Sequence, residues 1–393
     1  MGVKSLDELL SEGVRGQRVF VRADFNVPLR DRTVTDDTRL RASLPTLRKL
    51  LAADARVIVA SHLGRPKGER VADLSLRPVA ARLAKLLGTG VAFCEECAGE
   101  HARSAIDELA DGRILLLENL RFHAGEERND PDFSKALAAL ADIYVNDAFG
   151  TAHRAHASTE GMAAQFDRVA AGDLLDSELR HLRVIREPIR PLMVILGGAK
   201  VSDKLSVLEA LAPHADVLAI GGAMAYTFIA ANGGTTGDSL VEPDRFDDAL
   251  AVQRAARDAG RRLLLPSDHL VADRFEADAP TRVVTEIPEG AIGLDIGPAT
   301  ASSYASEVAN ARTIFWNGPM GVFEMEVFAA GTRTVAVAVA DSPATSVVGG
   351  GDSLAAIHQL GLGNRIDHLS TGGGASLEYV QGLKLPGVAA LER

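Results

Sequence analysis

Short apolar runs alternate along the whole chain with longer segments whose apolar residues recur at helical spacing. The runs are rich in Val, Ile and Leu, which is typical of strands buried on both faces of a sheet. This alternation predicts an α/β fold with parallel sheets that helices cover on both faces. The predicted strands are Arg18–Arg22, Val57–Ala60, Ile114–Leu117, Ile143–Val145, Leu192–Leu196, Val217–Ile220, Leu263–Leu265, Ile292–Asp295, Thr313–Trp316 and Ser346–Val348. The predicted helices between them include Arg77–Leu87, Phe133–Leu140, Lys204–Leu211 and Arg245–Ala259.

An amphipathic segment separates the two halves of this pattern. Asp173–Arg186 predicts a helix, and Pro188 and Pro191 end it before the next strand begins. A chain of 393 residues exceeds the size of about 250–300 residues at which a single core stops growing. We therefore interpret the segment as a linker or hinge helix between two domains, with a further surface helix of one domain as the alternative. Its apolar stripe consists of Leu174, Leu175, Leu179, Leu182 and Ile185.

Composition and charge exclude several classes of protein. The chain is 47% hydrophobic and 24% charged, which is close to the globular average and unlike a disordered chain or a coiled coil. Its net charge of −11 argues against a nucleic-acid partner bound through bulk charge. No apolar run approaches the roughly 20 residues that span a bilayer, and the N-terminus lacks the apolar core of a signal peptide. We expect a cytoplasmic protein without a membrane partner.

Two pairs of residues have the spacing of metal ligands. Cys94 and Cys97 form a CxxC pair, and His153 and His156 lie three positions apart. The cysteines lack a thioredoxin-like context and the two further ligands that zinc requires, and the histidines lack a neighbouring pair of carboxylates. We interpret the cysteines as packing thiols, with redox chemistry or half of a zinc site as the alternatives. We do not assign a metal to the histidines.

In the first half, the loops that follow the strands carry basic residues. Ligands of open α/β sheets bind beyond the carboxyl ends of the strands, so these loops predict a binding site. Guanidinium groups bind phosphate and carboxylate oxygens in pairs, whereas a single arginine is more often a solvated surface charge. Because several loops carry such groups, we predict one anion site. Its candidates are Arg39, His62, Arg65, Arg121 and Arg154, with Asp24 and Asn26 beside them.

In the second half, the corresponding loops are rich in glycine. Glycine lets backbone N–H groups approach an anion closely, so these loops predict a cradle for a polyphosphate; the alternative is that each glycine pair only forms a tight turn. None of them is a GxxxxGK[ST] loop or a GxGxxG fingerprint after a first strand. Lys200 and Lys204, one turn apart at a predicted helix start, suit phosphate oxygens. Asp352 suits a Mg²⁺ ion, and Glu324 suits ribose hydroxyls or is a surface acid.

Nine motifs in these loops resemble the phosphoglycerate kinase family over nearly the whole chain. They are VRADFNVP, SHLGRP, LENLRF, HRAHAS, LGGAKVSDK, LDIGP, FWNGPMGVFE, GGGDS and STGGGASLE. The resemblance implies a monomer of two Rossmann-like domains, each a parallel sheet flanked by helices, joined by a hinge helix. The implied parts are a phosphoglycerate-binding domain (1–172), the hinge (173–187), a nucleotide-binding domain (188–370) and a segment that returns to the first domain (371–393). The implied reaction is reversible phosphoryl transfer between 1,3-bisphosphoglycerate and ADP, which gives 3-phosphoglycerate and ATP with Mg²⁺.

The resemblance also implies a role for each matching residue. Arg39 and Lys200 would stabilise the phosphoryl group in transfer, helped by the backbone of Gly372 and Gly373. Two positions depart from the family pattern, Ser353 in place of the commoner Thr and Asp238 in place of the commoner Lys, and neither removes an implied role. The residues implied to bind phosphoglycerate are Asp24, Phe25, Asn26, Arg39, His62, Leu63, Gly64, Arg65, Arg121 and Arg154. Those implied to bind the nucleotide are Lys200, Lys204, Gly293, Glu324, Gly350, Gly351, Asp352 and Ser353, with Asp352 on the metal.

The chemistry of this reaction fits the residues present. A carboxylate acceptor is already ionised at pH 7, so no general base is needed, and the step requires positioning and positive charge. The basic and the glycine-rich loops lie in opposite halves, so we expect the domains to close for transfer. An NAD-dependent dehydrogenase is the first alternative, but its glycine fingerprint is missing. A non-catalytic nucleotide-binding protein is the second; it would be expected to lose Arg39, Lys200 or Asp352, and all three are present.

Overall fold

The chain consists of two compact α/β units. The structure, a computed structural model, describes residues 2–392. Residues 2–180 and 384–392 form the first unit, and residues 181–383 form the second. Each unit contains a six-stranded parallel sheet with helices, which confirms the predicted fold class. Within the described range, no helix has both the length and the apolar character needed to cross a membrane.

The first unit is built on one parallel sheet and a small hairpin. Its strands are β1 (Arg18–Ala23), β2 (Leu29–Arg30), β3 (Thr33–Val34), β4 (Arg56–Ala60), β5 (Val91–Cys94), β6 (Ile114–Leu117), β7 (Ile143–Asp147) and β8 (Val169–Ala171). Its helices are α1 (Leu6–Ser11), α2 (Thr38–Ala52), α3 (Arg77–Leu87), α4 (Gly99–Asp107), α5 (Ala124–Glu127), α6 (Pro131–Ala138) and the first half of α7 (Asp173–Arg186). The sheet order is β5-β6-β4-β1-β7-β8, and β2 pairs with β3. β1 therefore lies inside the sheet, between β4 and β7.

The apolar runs explain the position of these strands. β1 (RVFVRA) and β4 (RVIVA) are buried along almost their whole length, as strands covered by helices on both faces must be. Among the covering helices, α3 has a proline in its first turn and ends at Gly88, whose φ of +72° glycine adopts without strain. It buries Val79 and Leu83 in the same core as β1 and β4.

The second unit repeats this plan. Its strands are β9 (Leu192–Leu196), β10 (Val217–Ile220), β11 (Arg262–Leu264), β12 (His269–Ala272), β13 (Thr281–Val284), β14 (Ile292–Ile296), β15 (Thr313–Asn317), β16 (Thr345–Gly349) and β17 (His368–Ser370). Its helices are α8 (Leu205–Leu211), α9 (Met224–Ala231), α10 (Phe246–Asp258), α11 (Pro298–Asn310), α12 (Ala330–Asp341), α13 (Gly351–Gln359) and α14 (Gly374–Val380). The parallel sheet has the order β11-β10-β9-β15-β16-β17. Trp316 of β15 is fully buried in its core.

One predicted strand belongs to a different sheet. The run at Ile292–Asp295 is β14, and it pairs antiparallel with β12 in a three-stranded sheet of order β13-β12-β14. An apolar run shows that a strand is buried but not which partner it pairs with, so the expectation of a parallel neighbour was wrong here. The sequence pattern does not reveal β13 because three of its four residues are exposed.

The division between the units falls inside α7 and after Leu383. The first division lies within the predicted hinge of residues 173–187. Residues 371–383, which were expected to return to the first domain, lie in the second unit, where α14 packs against α8. Residues 384–392, with helix α15 (Pro386–Ala389), belong to the first unit. There the N–H of Gly387 donates to the carbonyl of Ala152 at 2.8 Å, and Asn146 Nδ2 donates to the Gly387 carbonyl at 3.2 Å. The hinge role of residues 173–187 stays a prediction.

Candidate active site

Four loops of the first unit meet at one edge of its sheet. They follow β1, β4, β6 and β7, and parallel pairing puts the carboxyl ends of these strands on the same side. With Arg39 of α2 they enclose a cavity of about 200 Å³, here called the basic pocket. Its lining consists of Asp24, Asn26, Arg39, His62, Gly64, Arg65, Arg121, Gly150, Thr151 and Arg154. Eight of these ten residues are candidates from the sequence, and Gly150 and Thr151 are the two that sequence reasoning missed.

Charge in the basic pocket is only partly compensated. Arg39 Nη1 donates to Asp24 Oδ2 at 2.6 Å, and Arg121 Nη1 donates to the Gly64 carbonyl at 2.8 Å. Arg121 Nη2 is buried and has no hydrogen-bond partner among residues 2–392. The lining holds four arginines and one aspartate, so an anion with several oxygens would complete its hydrogen bonds.

His62 lies at the back of the basic pocket and is only 4% exposed. Burial holds its pKa well below the usual range, and the guanidinium groups of Arg22, Arg121, Arg39 and Arg154 lower it further. The imidazole is therefore neutral at pH 7. A neutral imidazole has one N–H donor and one acceptor nitrogen, so only one of its two nitrogens can donate a hydrogen bond to a ligand oxygen.

Phe25 and Leu63 differ from the other residues implied at this site. Their side chains pack in the apolar core of the first unit and do not line the basic pocket. The Phe25 N–H donates to Ser61 Oγ at 2.8 Å, and the Leu63 N–H donates to Asn119 Oδ1 at 3.2 Å. The two residues therefore hold the loops in place from behind the pocket.

A buried polar layer that sequence reasoning missed lies next to the basic pocket. It consists of Arg22, Glu126 and Ser158, which are all 0% exposed. Arg22 Nη2 lies 3.3 Å from Nδ1 of His62. The available signal in the sequence is a charged residue inside the apolar run of β1, and buried charges are almost always paired.

The glycine-rich loops of the second unit surround a larger cavity of about 570 Å³, here called the apolar cavity. Three of the predicted nucleotide-binding residues line it, namely Gly293, Glu324 and Asp352. Ile292 and Leu294 belong to β14, whose apolar pattern indicates burial but not a cavity, and single apolar residues in loops give no periodic signal. Sequence reasoning therefore missed the seven side chains of the apolar walls. These are Leu240, Phe275, Ile292, Leu294, Pro319, Val322 and Met325. The other lining residues are Gly198, Ala199, Gly222, Ala223 and Gly321.

Two glycines of the second unit lie where no larger residue fits. A Cβ on Gly318 would lie 2.0 Å from the carbonyl oxygen of Gly197, because the loops after β15 and β9 touch backbone to backbone. Gly318 also has a φ of +101°, which other residues rarely adopt. A Cβ on Gly293 would lie 2.3 Å from the hydroxyl oxygen of Tyr226. A side chain at Gly293, which lines the cavity, or at Gly318 in the neighbouring loop would therefore displace the surrounding atoms.

The two predicted phosphate-binding lysines do not share a helix. α8 begins at Leu205 with Lys204 as its N-cap, and Lys200 lies exposed in the preceding segment, outside the cavity lining. Lys204 Nζ donates to Oδ1 of Asn317 and, at 3.3 Å, to the Asn317 carbonyl. Burial lowers the pKa of Lys204 to about 8, and the nearby Asp352 carboxylate opposes this effect. Lys204 is therefore partly deprotonated in mildly alkaline solution.

Residues 350–353 form the start of α13. Gly350 is the N-cap with a φ of +91°, and Gly351 is the first helical residue. Asp352 is exposed in the first turn, whereas Ser353 is buried and its Oγ accepts the N–H of Gly318 at 2.6 Å. Ser353 thus connects α13 to the loop after β15 through its hydroxyl group. The threonine that is commoner at this position in the family has the same group.

The surroundings of Asp352 fit a magnesium ion that a nucleotide carries. Among residues 2–392 there is no group of three or more His, Cys, Asp and Glu side chains that could hold a metal by themselves. Mg²⁺ needs only one or two protein carboxylates, because it keeps several waters and binds substrate phosphates. A single exposed carboxylate at the edge of the apolar cavity meets this requirement.

The remaining candidates lie at the periphery. Glu324 is exposed on the rim of the apolar cavity. Gly372 and Gly373 follow β17 and precede α14; the Gly372 N–H donates to Ser370 Oγ at 3.4 Å, and neither glycine lines the cavity. Asp238 is exposed, and its backbone N–H donates to the carbonyl of Ala291, which is not a predicted site residue.

Among residues 2–392, neither pair with metal-ligand spacing belongs to a group of three or more His, Cys, Asp and Glu side chains that could hold a metal ion. Cys94 and Cys97 are free and buried, and burial raises the pKa of both thiols. A buried thiol with a raised pKa is a poor nucleophile and a weak metal ligand, which agrees with a packing role. Burial also lowers the pKa of His156 to about 4.

Comparison with known proteins gives a consistent result. A family model described as phosphoglycerate kinase matches residues 9–383. The phosphoglycerate kinase of Acaryochloris marina is 50% identical over 399 aligned residues, and that of Chlorobium chlorochromatii is 51% identical over 398; each alignment covers 100% of both chains. The structure of phosphoglycerate kinase from Coxiella burnetii superimposes with a TM-score of 0.90 at 41% identity, over 96% of this chain and 97% of the other. A structure of the enzyme from Pyrococcus horikoshii gives 0.81 at 35% identity, over 96% of both chains.

These matches discriminate between the alternatives raised by the sequence. They extend over both units, so they include the loops of the basic pocket and those of the apolar cavity. Each of the proteins named is a phosphoglycerate kinase, and none is a dehydrogenase. The chain belongs to the phosphoglycerate kinase family.

Proposed function

We propose that the two substrates of this kinase bind in separate places, phosphoglycerate in the basic pocket and the nucleotide in the apolar cavity. The chain transfers a phosphoryl group between ATP and the carboxyl group of 3-phosphoglycerate, a step of glycolysis. The observation that carries the proposal is that four arginines and His62 line one small cavity, whereas the larger cavity is mostly apolar. A trianionic acid suits the first, and a heterocycle with a phosphate tail suits the second.

The basic pocket accounts for recognition of phosphoglycerate by charge. Arg65, Arg121 and Arg154 supply guanidinium forks for its phosphate, and each hydrogen bond to a charged oxygen contributes about 1.5–3 kcal/mol. Arg121 Nη2 is a buried donor without a partner among residues 2–392, so a hydrogen bond to a ligand oxygen would offset the desolvation cost of this donor. Asn26 and Asp24 provide acceptors for the hydroxyl group of the substrate.

The apolar cavity accounts for recognition of the nucleotide by shape. Leu240 and Phe275 are 46% and 55% exposed, so a flat ring placed against them would remove apolar surface from water. The exposed carboxylate of Glu324 suits the ribose hydroxyls. The phosphates would then lie toward the start of α13 and Lys204, where backbone N–H groups and one ammonium group favour anions.

Asp352 is the proposed protein ligand of the magnesium ion. When bound, this ion neutralises charge on the phosphate oxygens and helps to orient them. Lys204 supplies further positive charge on the same side of the cavity. Asp352 in turn favours the protonated form of Lys204, so the two residues support one another in binding the phosphates.

Phosphoryl transfer requires orientation and positive charge, but no general base. The accepting carboxylate is ionised at pH 7, and Arg39 and Lys200 are the proposed cations that stabilise the transferred group, with the backbone of Gly372 and Gly373. Because the two substrates bind on different units, we propose that transfer requires movement of the units about residues 173–187. The exposed position of Lys200, away from the cavity lining, is consistent with a residue that acts only after such a movement.

We also place this activity in a cytoplasmic monomer. The monomer is what the resemblance to the phosphoglycerate kinase family implies. Two free, buried cysteines fit a reducing compartment.

A coupled assay with two variants tests the separation of the substrates. The protein receives 3-phosphoglycerate, ATP and Mg²⁺, and acyl phosphate is followed through the NADH that glyceraldehyde-3-phosphate dehydrogenase consumes. Arg154→Met is expected to raise the KM for 3-phosphoglycerate about tenfold and to leave the KM for ATP unchanged. Leu240→Ala is expected to raise only the KM for ATP, about threefold to tenfold.

Matched controls exist for both variants. Arg128→Met removes an exposed arginine of the first unit, and Leu383→Ala truncates an exposed leucine of the second, so neither is expected to change either KM. If Arg154→Met raised the two KM values equally, or if Leu240→Ala raised that of 3-phosphoglycerate, the assignment of substrates to cavities would be wrong.

A further inference from the structure

Three buried polar side chains form a continuous chain of hydrogen bonds beside the basic pocket. Arg22 Nε lies 2.7 Å from Ser158 Oγ, and Ser158 Oγ lies 2.6 Å from Glu126 Oε1. The second carboxylate oxygen of Glu126 accepts the backbone N–H of Ser158 at 3.0 Å. All three side chains are fully buried, so bulk water does not compete for these contacts. Such a chain is costly to build unless every member is satisfied.

The chemistry of the three groups fixes the direction of these bonds. A guanidinium group has donors only, so Arg22 Nε must donate and Ser158 Oγ must accept. The hydroxyl hydrogen of Ser158 is then directed to Glu126, whose oxygen accepts it. Burial raises the pKa of the Glu126 carboxyl, and Arg22 and the two hydrogen bonds from Ser158 oppose this effect. The ionised carboxylate acts on Arg22 through one hydroxyl group, which sets the orientation of the guanidinium plane at Nε.

The other end of the same guanidinium group is held against His62. Arg22 Nη1 donates to the carbonyl of Ala23, which leaves Nη2 at 3.3 Å from Nδ1 of His62. Because Nη2 can only donate, Nδ1 must be the acceptor nitrogen of the ring. A neutral imidazole with an acceptor at Nδ1 carries its hydrogen at Nε2.

We propose that Glu126, Ser158 and Arg22 are positioning residues that hold His62 as a neutral ring with its N–H at Nε2, ready to donate to phosphoglycerate. The inference rests on the proposed function of the basic pocket, but it concerns residues that do not line that pocket. Without the hydrogen bond from Arg22 Nε to Ser158, the guanidinium group is held only by the bond from Nη1 to the Ala23 carbonyl. It can then rotate about this bond, and His62 can exchange its hydrogen between the two nitrogens.

The charged groups around His62 agree with this assignment. Arg22, Arg39, Arg121 and Arg154 all oppose a second proton on the ring, and burial does so more strongly. Among residues 2–392, the acid that lies beside the ring is Asp24; its Oδ1 is 3.9 Å from Nδ1, beyond hydrogen-bond distance, and its Oδ2 accepts from Arg39. Arg22 is therefore the partner that decides which nitrogen carries the hydrogen.

The test compares Ser158→Ala with Ser134→Ala by ¹⁵N NMR of the histidine rings, without substrate. Ser134 is a matched control because it is buried in the same unit and its Oγ has no hydrogen-bond partner among residues 2–392. The signals of His62 are assigned from their loss in His62→Gln. The wild type and Ser134→Ala are expected to show one form with hydrogen at Nε2 between pH 6 and pH 8. Ser158→Ala is expected to show both neutral forms.

Kinetics provide the second measurement on the same proteins. Ser158→Ala is expected to raise the KM for 3-phosphoglycerate about fivefold to tenfold, the factor that one misdirected hydrogen bond is worth, with kcat within about twofold of the wild type. A hydrogen at Nδ1 or a doubly protonated ring in the wild type at pH 7 would overturn the proposal. Unchanged His62 signals in Ser158→Ala would also overturn it.

Addition of 3-phosphoglycerate separates this proposal from the proposed function. A shift of the His62 signals in the wild type supports phosphoglycerate binding in the basic pocket. If the substrate produced no shift, the assignment of the pocket would be wrong, and the spectra recorded without substrate would still decide which nitrogen Arg22 holds.

Discussion

The basic pocket and the apolar cavity lie at the same kind of place in two similar sheets but are built by opposite means. The basic pocket is small, and all of its lining residues are polar, charged or glycine. The apolar cavity is nearly three times larger, and most of its lining is apolar or glycine, with two carboxylates at its edge. One architecture therefore supports recognition by charge or by shape, depending on which side chains follow the strands.

The two cavities differ because their proposed ligands gain binding energy in different ways. A small polyanion has little apolar surface, so its binding energy comes from charged hydrogen bonds. A nucleotide has a large flat ring system, so much of its binding energy comes from buried apolar area, and close backbone approach serves its phosphates. Variants that affect one substrate and spare the other therefore test the comparison directly.

The largest effect is expected from Arg39→Ala. Arg39 lines the basic pocket, where it pairs with Asp24 at 2.6 Å, and its proposed role is to stabilise charge in the transition state. Loss of one such group lowers kcat by about 100- to 1,000-fold. The dissociation constant of Mg·ADP, measured by calorimetry, is expected to change by less than about twofold because Arg39 does not contribute to the apolar cavity.

Arg41→Ala is the matched control for this variant. Arg41 lies on the same helix and pairs with Asp37 at the surface at 2.7 Å, away from the pocket lining. The kcat of Arg41→Ala is expected to equal that of the wild type. Equal losses of kcat and of nucleotide affinity in Arg39→Ala would remove the assigned role.

The next largest effect is expected from Asp352→Ala. The Mg²⁺ concentration that gives half-maximal activity is expected to rise about 10- to 100-fold, because the proposed protein ligand of the ion is lost. It is measured by titrating the coupled assay with Mg²⁺ at fixed ATP. Asp258→Ala, which removes an exposed carboxylate at the end of α10, serves as control. An unchanged metal requirement in Asp352→Ala would reject this ligand.

A smaller effect is expected from Gly293→Ala, which alters the shape of the apolar cavity without changing charge. The added Cβ would lie 2.3 Å from the Tyr226 hydroxyl oxygen, and overpacking of this kind costs about 1–3 kcal/mol. The dissociation constant of Mg·ADP is expected to rise about tenfold, which corresponds to roughly 1.4 kcal/mol. That of 3-phosphoglycerate, measured by the same calorimetry, is expected to stay the same.

Gly363→Ala is the control for this substitution. Its Cβ would make only an ordinary contact of 3.5 Å with Leu369. Both dissociation constants are expected to match the wild type. If Gly293→Ala bound Mg·ADP as tightly as the control, close packing at this glycine would not shape the nucleotide site.

The smallest effect is a pH dependence that only the apolar cavity should show. The pKa of Lys204 is lowered to about 8, so the ammonium group loses its proton as the pH rises through this value. Phosphates bind the protonated form better, so the dissociation constant of Mg·ADP is expected to rise about threefold between pH 7.5 and pH 8.5. Lys204→Arg, which stays charged, is expected to abolish this rise. A rise that persisted in Lys204→Arg would have another origin.

The sequence predicts the central strands of both sheets well and their margins poorly. β1, β4, β6, β9 and β15 are apolar runs in the middle of the sheets, where burial on both faces requires such runs. β13 and the edge strand β17 are largely or partly exposed, so their residues need not be apolar, and the sequence pattern predicts neither strand. β14 is apolar, but its antiparallel partner is set by tertiary packing, which the run does not encode.

The same physical difference separates the predictable and unpredictable parts of the site. Arginines in loops after parallel strands are visible in sequence because a shared sheet edge brings them together, as it does for Arg65, Arg121 and Arg154. Leu240 and Phe275 are isolated apolar residues in loops, so nothing in the sequence connects them to Gly293. Arg22 was missed because its role depends on Ser158 and Glu126, which are distant in sequence and meet it only in the fold.

Hydrogen exchange with each substrate alone tests the separation of the two sites most directly. We predict that 3-phosphoglycerate slows amide exchange in the segments 24–39, 62–65 and 150–154, and that Mg·ADP slows it in the segments 221–223, 292–294 and 319–325, read by mass spectrometry of peptides. Each ligand should leave the segments of the other unchanged. Protection of the apolar cavity by 3-phosphoglycerate, or of the basic pocket by Mg·ADP, would contradict the account.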